Sequence, residues 1–187
     1  MPSKRSFLKQ FLKEKKMVGS MTPSSRFLAA KMLENVNFET TQVIVELGPG
    51  TGVFTEKIIS KLGPNARLLV FELNDQFYEA LKVKITDPRV TLIHDSAEKI
   101  EDYLNQNQLS KADVIISSLP LANFPEELKD AILESSKRSL SHSGKYVQFQ
   151  YSLVSKKNLE KVFSKIKIGF TPFNFPPAFV YTCSVTN

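Results

Sequence analysis

The sequence predicts a doubly wound α/β fold built on a seven-stranded sheet. From residue 42 to residue 164, strand and helix patterns alternate, with strands predicted at 42–47, 67–72, 90–94, 112–118 and 144–150. The predicted helices that follow these strands lie at 53–61, 75–85, 97–108, 125–140 and 155–164. Alternation at this pitch is typical of βαβ units and therefore of parallel strands. No helix separates the last two strands, 165–171 and 178–185, so the last strand is predicted antiparallel in a mostly parallel, Rossmann-like sheet.

Size and composition limit the possible classes of protein. A chain of 187 residues, 42% of them hydrophobic, corresponds to about one domain with a sizeable core. No apolar run approaches the ~18 residues of a membrane-spanning helix, and no secretory signal is visible. Cys183 is the one cysteine, which excludes an internal disulfide and a cysteine-based zinc site. Because the two histidines, His94 and His142, are far apart, we expect no metal site. The single cysteine and the lack of a visible secretory signal lead us to expect a cytoplasmic protein.

The net charge of +6 is distributed unevenly along the chain. Residues 1–31 carry eight basic side chains and one acid, Glu14, whereas the remaining residues sum to a charge of about −1. We therefore divide the chain into a basic arm and lead-in at 1–31 and a nearly neutral domain at 32–187. Such an asymmetry indicates a polyanionic partner, either nucleic acid or an anionic membrane surface.

The arm contains a predicted amphipathic helix at residues 4–16. Lysines that include Lys9 and Lys13 lie opposite an apolar face formed by Phe7, Leu8, Phe11 and Leu12. Such a helix can lie in a membrane interface, where each basic residue near an anionic surface contributes ~1 kcal/mol. It can equally pack its apolar face on the domain, and the sequence leaves both possibilities open.

The end of the first predicted strand is the most informative stretch. The strand Val-Ile-Val-Glu-Leu at 43–47 runs into Gly48, Gly50 and Gly52, and a helix pattern follows. Glycines at such a turn allow a sharp bend and a close backbone approach to a ligand. A carboxylate within a buried strand, Glu46, is explained if a cation lies above the sheet edge. The glycine spacing is not that of dinucleotide-binding proteins, which have two residues between the last two glycines.

This stretch resembles motif I of the class I S-adenosylmethionine-dependent methyltransferases. The resemblance implies that S-adenosylmethionine is bound by Glu46, Gly48, Gly50, Thr51 and Gly52. An acid 20 positions after Gly52, Glu72, can accept both ribose hydroxyls of an adenosine. The resemblance also implies that Leu73 and Ser117 are among the cofactor-binding residues.

The third predicted strand ends in a further acid, Asp95. By the same resemblance, Asp95 with Ser96 faces the adenine, although an acid at this place also suits a helix N-cap. His94 is predicted to be a structural side chain rather than a catalytic one.

The fourth strand ends in Ser117, Ser118, Leu119 and Pro120, which resembles motif IV of amino-group methyltransferases. The resemblance implies that Ser118, Leu119 and Pro120 form the catalytic loop. Proline fixes the backbone there, so that the Ser117 and Ser118 carbonyls and the Ser118 hydroxyl can orient an amine nitrogen. Methyl transfer to a neutral amine depends mostly on positioning, so no strong base is required. A plain strand-ending turn is the alternative.

Two families share this pattern. Ribosomal RNA adenine dimethyltransferases carry an aromatic residue directly after the proline, where this chain has Leu121, and an RNA-binding domain that we do not expect after Asn187. The chain is more similar to bacterial soluble phospholipid N-methyltransferases, in its basic arm and in residues 18–26, 46–52, 118–121 and 174–178. That resemblance implies a phospholipid headgroup amine, such as that of phosphatidylethanolamine, as substrate, with peripheral membrane association. An RNA adenine N6-methyltransferase is the alternative.

An apolar loop at residues 170–179 favours a lipid. The loop joins the sixth strand to the seventh and should lie over the same sheet edge as the cofactor, and an exposed apolar cluster there suits an acyl chain or a membrane surface. The same phenylalanines can also pack beneath the sheet edge. The residues predicted to contact substrate or membrane are Phe7, Lys9, Phe11, Lys13, Ser24, Ser25, Arg26, Leu121, Phe173 and Phe175.

Overall fold

The computed structural model describes residues 26–185, and strands and helices alternate along them as the sequence pattern predicts. The helices are α1 (Arg26–Leu33), α2 (Val53–Ile59), α3 (Asp75–Lys84), α4 (Ile100–Gln106), α5 (Glu126–Ser139) and α6 (Lys156–Val162). The strands are β1 (Val43–Leu47), β2 (Arg67–Phe71), β3 (Val90–Ile93), β4 (Ala112–Ser117), β5 (Leu140–Gln150), β6 (Lys165–Thr171) and β7 (Ala178–Ser184). Short 3₁₀ turns lie at Ala97–Lys99 and Leu121–Asn123.

The seven strands form one sheet in the order β3-β2-β1-β4-β5-β7-β6. Strands β1 to β5 pair in parallel, and β7 pairs antiparallel with both β5 and β6. The predicted doubly wound sheet with an antiparallel last strand is therefore confirmed. The strand order reverses between β1 and β4, which is the place where ligands bind in open α/β sheets.

Both faces of the sheet are covered, which explains why its central strands are almost continuously apolar. One core cluster contains Val43, Val45 and Leu47 from one side of β1. The other contains Ile44, together with Leu68 and Val70 of β2. Glu46 is the exception in β1, because it is a carboxylate with no exposed surface.

Helix α1 belongs to this core and spans the predicted division between residues 31 and 32. Its inner face is formed by Leu28, Ala29, Met32 and Leu33, all of them buried. These side chains join the core cluster that contains Val147 of β5 and Val180 of β7. The predicted helix at 4–16 and its neighbours up to Ser25 lie outside the described residues.

Two predicted element starts differ from the structure by three residues or more. The helix predicted at 97–108 begins as the 3₁₀ turn and becomes α-helical only at Ile100. Strand β5 begins at Leu140 rather than residue 144, because Leu140 already pairs with Ala112 before the register shifts and Lys145 pairs with Val114. The segment between them, Ser-His-Ser-Gly, reads as a turn in the sequence but forms a bulged part of the strand.

Within residues 26–185, no helix combines the length and the apolar character that crossing a bilayer requires.

Replacing Leu28 tests the place of α1 in the core. Leu28→Ala is expected to lower the free energy of unfolding by about 2–5 kcal/mol, because the side chain is fully buried. Phe27→Ala on the same helix is the matched control, and it should cost less because Phe27 is exposed. Urea unfolding of both variants measures the difference, and equal losses would contradict the packing of α1.

Candidate active site

The predicted site residues converge at the carboxyl ends of β1, β2 and β4. The parallel register places Leu47 beside Phe71 on one side and beside Ser117 on the other. The loops after these strands are joined by main-chain hydrogen bonds, in which Gly48 N donates to Phe71 O at 2.9 Å and Ser118 N donates to Leu47 O at 2.9 Å. The glycine loop and the Ser-Leu-Pro loop are therefore neighbours at the place where the strand order reverses, between β1 and β4.

The glycines of the first loop are required by its geometry. Gly48, Gly50 and Gly52 have φ angles of +68°, +57° and +85°, in the left-handed region that other residues rarely adopt. A Cβ on Gly48 would lie 2.8 Å from Cδ2 of Leu119, too close for two carbon atoms. The loop backbone thus packs directly on the Ser-Leu-Pro loop.

Glu46 is a buried carboxylate that receives no hydrogen bond from residues 26–185. Within that part of the chain, neither of its side-chain oxygens has a hydrogen-bond partner, and the buried hydroxyl of Thr55 has none either. Burial raises the pKa of Glu46 to about 8, an effect that the nearby Thr55 hydroxyl partly opposes and that the charge of Glu72 reinforces. The Thr55 hydroxyl is thus near enough to Glu46 to affect its pKa, but the two groups do not form a hydrogen bond of regular geometry. A cation bound beside Glu46 would favour its charged form.

Glu72 holds the glycine loop in shape. Its Oε2 accepts a hydrogen bond from Gly50 N at 3.1 Å, and its Oε1 accepts one from Asn74 N at 2.8 Å. Burial nevertheless raises the pKa of Glu72 to about 7, because these main-chain donors offset only part of the desolvation. The neighbouring Leu73 side chain lies in the core, and Thr51 is exposed.

Asn74 is a structural residue of this edge that the sequence reasoning missed. Its side-chain oxygen caps α3 by accepting hydrogen bonds from Gln76 N at 3.0 Å and Phe77 N at 3.1 Å. Asn is a favoured N-cap residue, and the signal was present directly before the predicted helix at 75–85.

Asp95 is buried at the end of β3 and is surrounded by donors. Its Oδ2 lies 3.2 Å from both Lys99 Nζ and the Tyr103 hydroxyl, and its Oδ1 accepts a hydrogen bond from Ser96 N at 2.8 Å. Ser96, rather than Asp95, is the N-cap of the following 3₁₀ turn, with its Oγ accepting from Glu98 N at 3.4 Å. The Asp95 carboxylate is therefore held in place by the Ser96 main chain and by side chains of α4 and its lead-in turn.

His94 packs against α3 rather than pointing into the crevice. Its Nε2 lies 3.1 Å from Asp75 Oδ1, and its ring stacks on Tyr78 with the centroids 4.3 Å apart. Among residues 26–185, no three His, Cys, Asp or Glu side chains are grouped as a metal site would require.

The two serine hydroxyls of the Ser-Leu-Pro loop differ in their hydrogen bonds. Ser118 Oγ is buried and has no hydrogen-bond partner in the described part of the chain, whereas Ser117 Oγ accepts a hydrogen bond from Leu119 N at 3.4 Å. Pro120 has φ −78° and ψ 68°, the conformation of an inverse γ-turn, and Leu121 N donates to Leu119 O across it at 2.9 Å. The proline therefore fixes the turn that positions Ser118.

Three side chains of β5, Tyr146, Gln148 and Gln150, hold the Ser-Leu-Pro loop in place, and we call them the β5 clamp. The sequence reasoning did not identify them. Gln148 Nε2 and Gln150 Nε2 donate to Leu119 O at 3.0 and 2.9 Å, and the Tyr146 hydroxyl donates to Gln148 Oε1 at 2.8 Å. All three side chains are buried on the same face of β5. The signal was a polar residue at every second position of an otherwise apolar strand. With Leu121 N included, the Leu119 carbonyl accepts three hydrogen bonds.

The residues predicted to contact substrate or membrane divide into three groups. Leu121 has no exposed surface and lies in the core, so it belongs to no exposed surface, and its predicted contact with the substrate stays a prediction. Arg26, Phe173 and Phe175 are exposed at the same sheet edge as the site. Phe7, Lys9, Phe11, Lys13, Ser24 and Ser25 lie outside the described residues.

Comparison with known proteins identifies the family. Residues 4–162 match the model of the family described as ribosomal RNA adenine dimethylase. The chain belongs to this family. It is also 30% identical to an ornithine lipid N-methyltransferase of Singulisphaera acidiphila over 95% of this chain and 93% of that protein.

Other relatives of the dimethylase family are longer than this chain. A ribosomal RNA small subunit methyltransferase A of Ureaplasma parvum is 26% identical over 90% of this chain, which spans 60% of that relative's length. A solved structure, the precorrin-6y C5,15-methyltransferase of Geobacter metallireducens, has the same fold. It superposes with a TM-score of 0.68 at 15% identity over 88% of this chain and 90% of that one.

The protein is thus a class I S-adenosylmethionine-dependent methyltransferase. The cofactor supplies a methyl group on a positively charged sulfur. The site residues fit such a cationic nucleotide, because Glu46 is a buried carboxylate that receives no hydrogen bond from the described residues and lies directly before the glycine loop. Two further buried acids, Glu72 and Asp95, lie at the ends of the neighbouring strands.

The buried acids predict an unusual dependence of stability on pH. The pKa values of Glu46 and Glu72 are raised from 4.5 to about 8 and about 7, so the native state binds more protons than the unfolded state in this window. The free energy of unfolding of the ligand-free protein should therefore fall as the pH rises from 5 to 8. Urea unfolding at several pH values measures this slope.

Substitution of Glu46 separates its share of the pH effect. Glu46→Gln removes the titrating group and should flatten the slope between pH 5 and 8. Glu79→Gln is the matched control, because Glu79 is exposed and pairs with Lys82 at 3.4 Å, and it should leave the slope unchanged. Wild-type stability that rises between pH 5 and 8 would contradict the raised pKa values.

Removing one donor of the β5 clamp tests its role in positioning. Gln150→Leu leaves the Leu119 carbonyl with two donors and loosens the Ser-Leu-Pro loop. The kcat for methyl transfer is expected to fall about 10-fold, the equivalent of one hydrogen bond, while the Kd for the cofactor stays constant. Gln106→Leu, at the end of α4, is the control. A parallel loss of cofactor affinity would show that the clamp is only structural.

Proposed function

We propose that this methyltransferase acts on the amine of a lipid headgroup. The observation that carries the proposal is the 30% identity to an ornithine lipid N-methyltransferase, which extends over 95% of this chain and 93% of that protein. The ribosomal RNA methyltransferase of Ureaplasma parvum, in contrast, is matched over 60% of its length. The chain therefore corresponds to a whole lipid-methylating relative and to part of an RNA-methylating one.

The proposed roles of the cofactor-binding residues follow their positions along the sheet edge. Glu46 with Gly48, Gly50, Thr51 and Gly52 would hold the methionyl part of S-adenosylmethionine. Glu72 and the main chain at Leu73 would bind the ribose, because a carboxylate can accept from both hydroxyls while keeping its main-chain donors. Asp95 and Ser96 would face the adenine, with Lys99 and Tyr103 holding the Asp95 carboxylate in place.

The proposed chemistry is a direct displacement at the methyl carbon. S-adenosylmethionine, held by the residues named above, would supply the methyl group, with the carbon–sulfur electron pair leaving on sulfur as the amine lone pair bonds to the carbon. The protonated product amine would lose its proton to water. The protein contributes mainly the position of the amine, which can account for a large part of the rate.

Ser118 is the residue that would orient the amine. Its hydroxyl is buried at the turn and has no partner within the described residues. The neighbouring Leu119 carbonyl already accepts from Leu121, Gln148 and Gln150. An incoming amine N–H would therefore find its acceptor at the Ser118 hydroxyl, with the main-chain carbonyls of Ser117 and Ser118 beside it. Leu119 and Pro120 shape the loop around this point.

The headgroup is proposed from two sources. The sequence motifs resemble phospholipid N-methyltransferases and imply phosphatidylethanolamine, whereas the name of the full-length relative gives an ornithine lipid. Both lipids offer a primary amine.

We propose that the amino-terminal arm, with Phe7, Lys9, Phe11 and Lys13, brings the enzyme to an anionic membrane surface.

An RNA adenine N6-methyltransferase is the second candidate, and the family model and the ribosomal RNA relatives favour it. An aromatic side chain after the proline would stack on an extruded base. Here that position is Leu121, which is fully buried. The loop therefore lacks a stacking platform at this position, and we rank the RNA substrate second.

A methyl-transfer screen decides between these substrates. Purified protein is incubated with labelled S-adenosylmethionine and with anionic vesicles that contain either phosphatidylethanolamine or ornithine lipid, or with total RNA. Label is expected in a lipid amine, and deletion of residues 1–16 should reduce it while cofactor binding persists. Label in RNA and in neither lipid would overturn the proposal.

A further inference from the structure

Exposed apolar side chains concentrate at one corner of the described protein. Nine large hydrophobic side chains are exposed among residues 26–185, and eight of them lie on β6, on the loop to β7, just after β5 or on α1. The ninth, Val83, lies on α3. We define the apolar corner by Phe27, Tyr151, Leu153, Val154, Phe173 and Phe175. Ile168 and Phe170 of the edge strand β6 continue it.

Contacts join these segments into one surface. The rings of Phe27 and Phe173 lie 5.3 Å apart, which connects α1 to the β6–β7 loop. The Tyr151 hydroxyl interacts with the Asn174 side chain, which connects the end of β5 to the same loop. The Tyr181 hydroxyl donates to Ser152 O at 3.4 Å and holds the segment after β5 against β7.

The β6–β7 loop inverts the usual arrangement of polar and apolar residues. Phe173 is 72% exposed and Phe175 is 83% exposed, whereas Asn174 between them is only 4% exposed. Asn174 Nδ2 donates to Pro176 O at 2.7 Å and so ties the loop together from inside. The loop therefore buries the Asn174 side chain and exposes the rings of Phe173 and Phe175 to solvent. In water this exposes apolar surface that a folded protein normally covers.

The segments that form the corner carry only basic charges. Residues 26–33, 151–157 and 168–179 contain four basic side chains, Arg26, Lys31, Lys156 and Lys157, and no aspartate or glutamate. Two of the four are paired with carboxylates just outside these segments, Lys31 with Glu34 at 2.7 Å and Lys156 with Glu160 at 3.3 Å. An apolar tip among basic residues is the pattern that binds an anionic membrane interface.

The corner lies next to the substrate loop. Gln150 donates to the Leu119 carbonyl, and Tyr151 of the corner follows it in the chain. The β6–β7 loop begins after Thr171, which pairs with Ala178, and the adjacent Phe179 pairs with Gln150. A surface docked on the corner would therefore face the same edge of the sheet as the Ser118 hydroxyl.

We propose that the apolar corner inserts into the interface of an anionic bilayer, with Phe173 and Phe175 as the penetrating side chains. This inference rests on the proposed lipid substrate and gives the docking geometry that brings a headgroup amine to Ser118. The rings enter the boundary between headgroups and acyl chains, ~5–10 Å deep. The basic residues at the flanks contact lipid phosphates, and the sheet edge that carries Ser118 faces the headgroups.

A tryptophan probe tests the insertion, because the chain contains no tryptophan of its own. Phe173→Trp keeps an aromatic side chain at the loop tip, and Val83→Trp places the matched probe on exposed α3. The full chain is mixed with phosphatidylglycerol-containing vesicles in the absence of cofactor. Fluorescence of the probe at position 173 should shift to the blue and be quenched by brominated lipids, and the probe at position 83 should do neither. An unshifted, unquenched probe at position 173 overturns the inference.

A binding measurement complements the probe. Phe173→Ser with Phe175→Ser should weaken partitioning into the same vesicles by at least about 10-fold, since each ring loses its burial in the interface. Val83→Ser should partition like the wild type, and vesicles of phosphatidylcholine alone should bind all forms more weakly. Unchanged partitioning of the double variant overturns the inference, as does binding that depends only on residues 1–16. A dimer that the double variant abolishes would assign the corner to a second copy of the chain and also overturn it.

These outcomes are separate from those of the methyl-transfer screen. Label in a lipid together with unchanged vesicle binding by the double variant leaves the lipid substrate standing and removes the docking surface. Label in RNA alone removes the lipid substrate whatever the vesicles show.

Discussion

Two carboxylates buried under a glycine loop set the main constraint on this structure. Glu46 and Glu72 lie at the ends of neighbouring parallel strands, and burial raises the pKa of each well above that of a free carboxyl group. Glu72 is stabilised by the main-chain N–H groups of Gly50 and Asn74, and through them it shapes the loop. Glu46 has no such partner, so a cationic ligand would relieve a desolvation cost that the folded chain carries alone. Gly48, Gly50 and Gly52 have φ angles that other residues rarely adopt, and a side chain on Gly48 would also meet Leu119.

The second element of the site is a set of buried polar side chains on β5. Tyr146, Gln148 and Gln150 bring a line of hydrogen-bonding groups into the core beneath the Ser-Leu-Pro loop. Gln148 and Gln150 donate to the Leu119 carbonyl, whereas the Ser118 hydroxyl at the same turn receives no hydrogen bond from the described residues. Buried networks of this kind hold a loop in one conformation when every member is satisfied. A methyl transfer that depends on the position of the amine benefits from such rigidity.

The proposed cofactor and substrate sites lie on different parts of the sheet. The acids and glycines proposed to hold the nucleotide lie at the carboxyl ends of β1, β2 and β3. The exposed apolar surface lies at the other end of the sheet, where β5, β6 and β7 surround Phe173 and Phe175. The two meet at the Ser-Leu-Pro loop, which β5 holds from one side and the glycine loop contacts from the other.

The sequence by itself determined the fold class, the order of strands and helices, and the stretches at which the site forms. It could do so because hydrophobic periodicity, glycine spacing and the residues that end a strand are local properties of the chain. Contacts between distant residues were decided only by the tertiary structure. Gln148 and Gln150 lie 29 and 31 residues from the carbonyl that they bind, and Leu121 is buried because the core closes over it. The exposure of Phe173 and Phe175 was equally undecided, because it depends on how Asn174 is bound inside the loop.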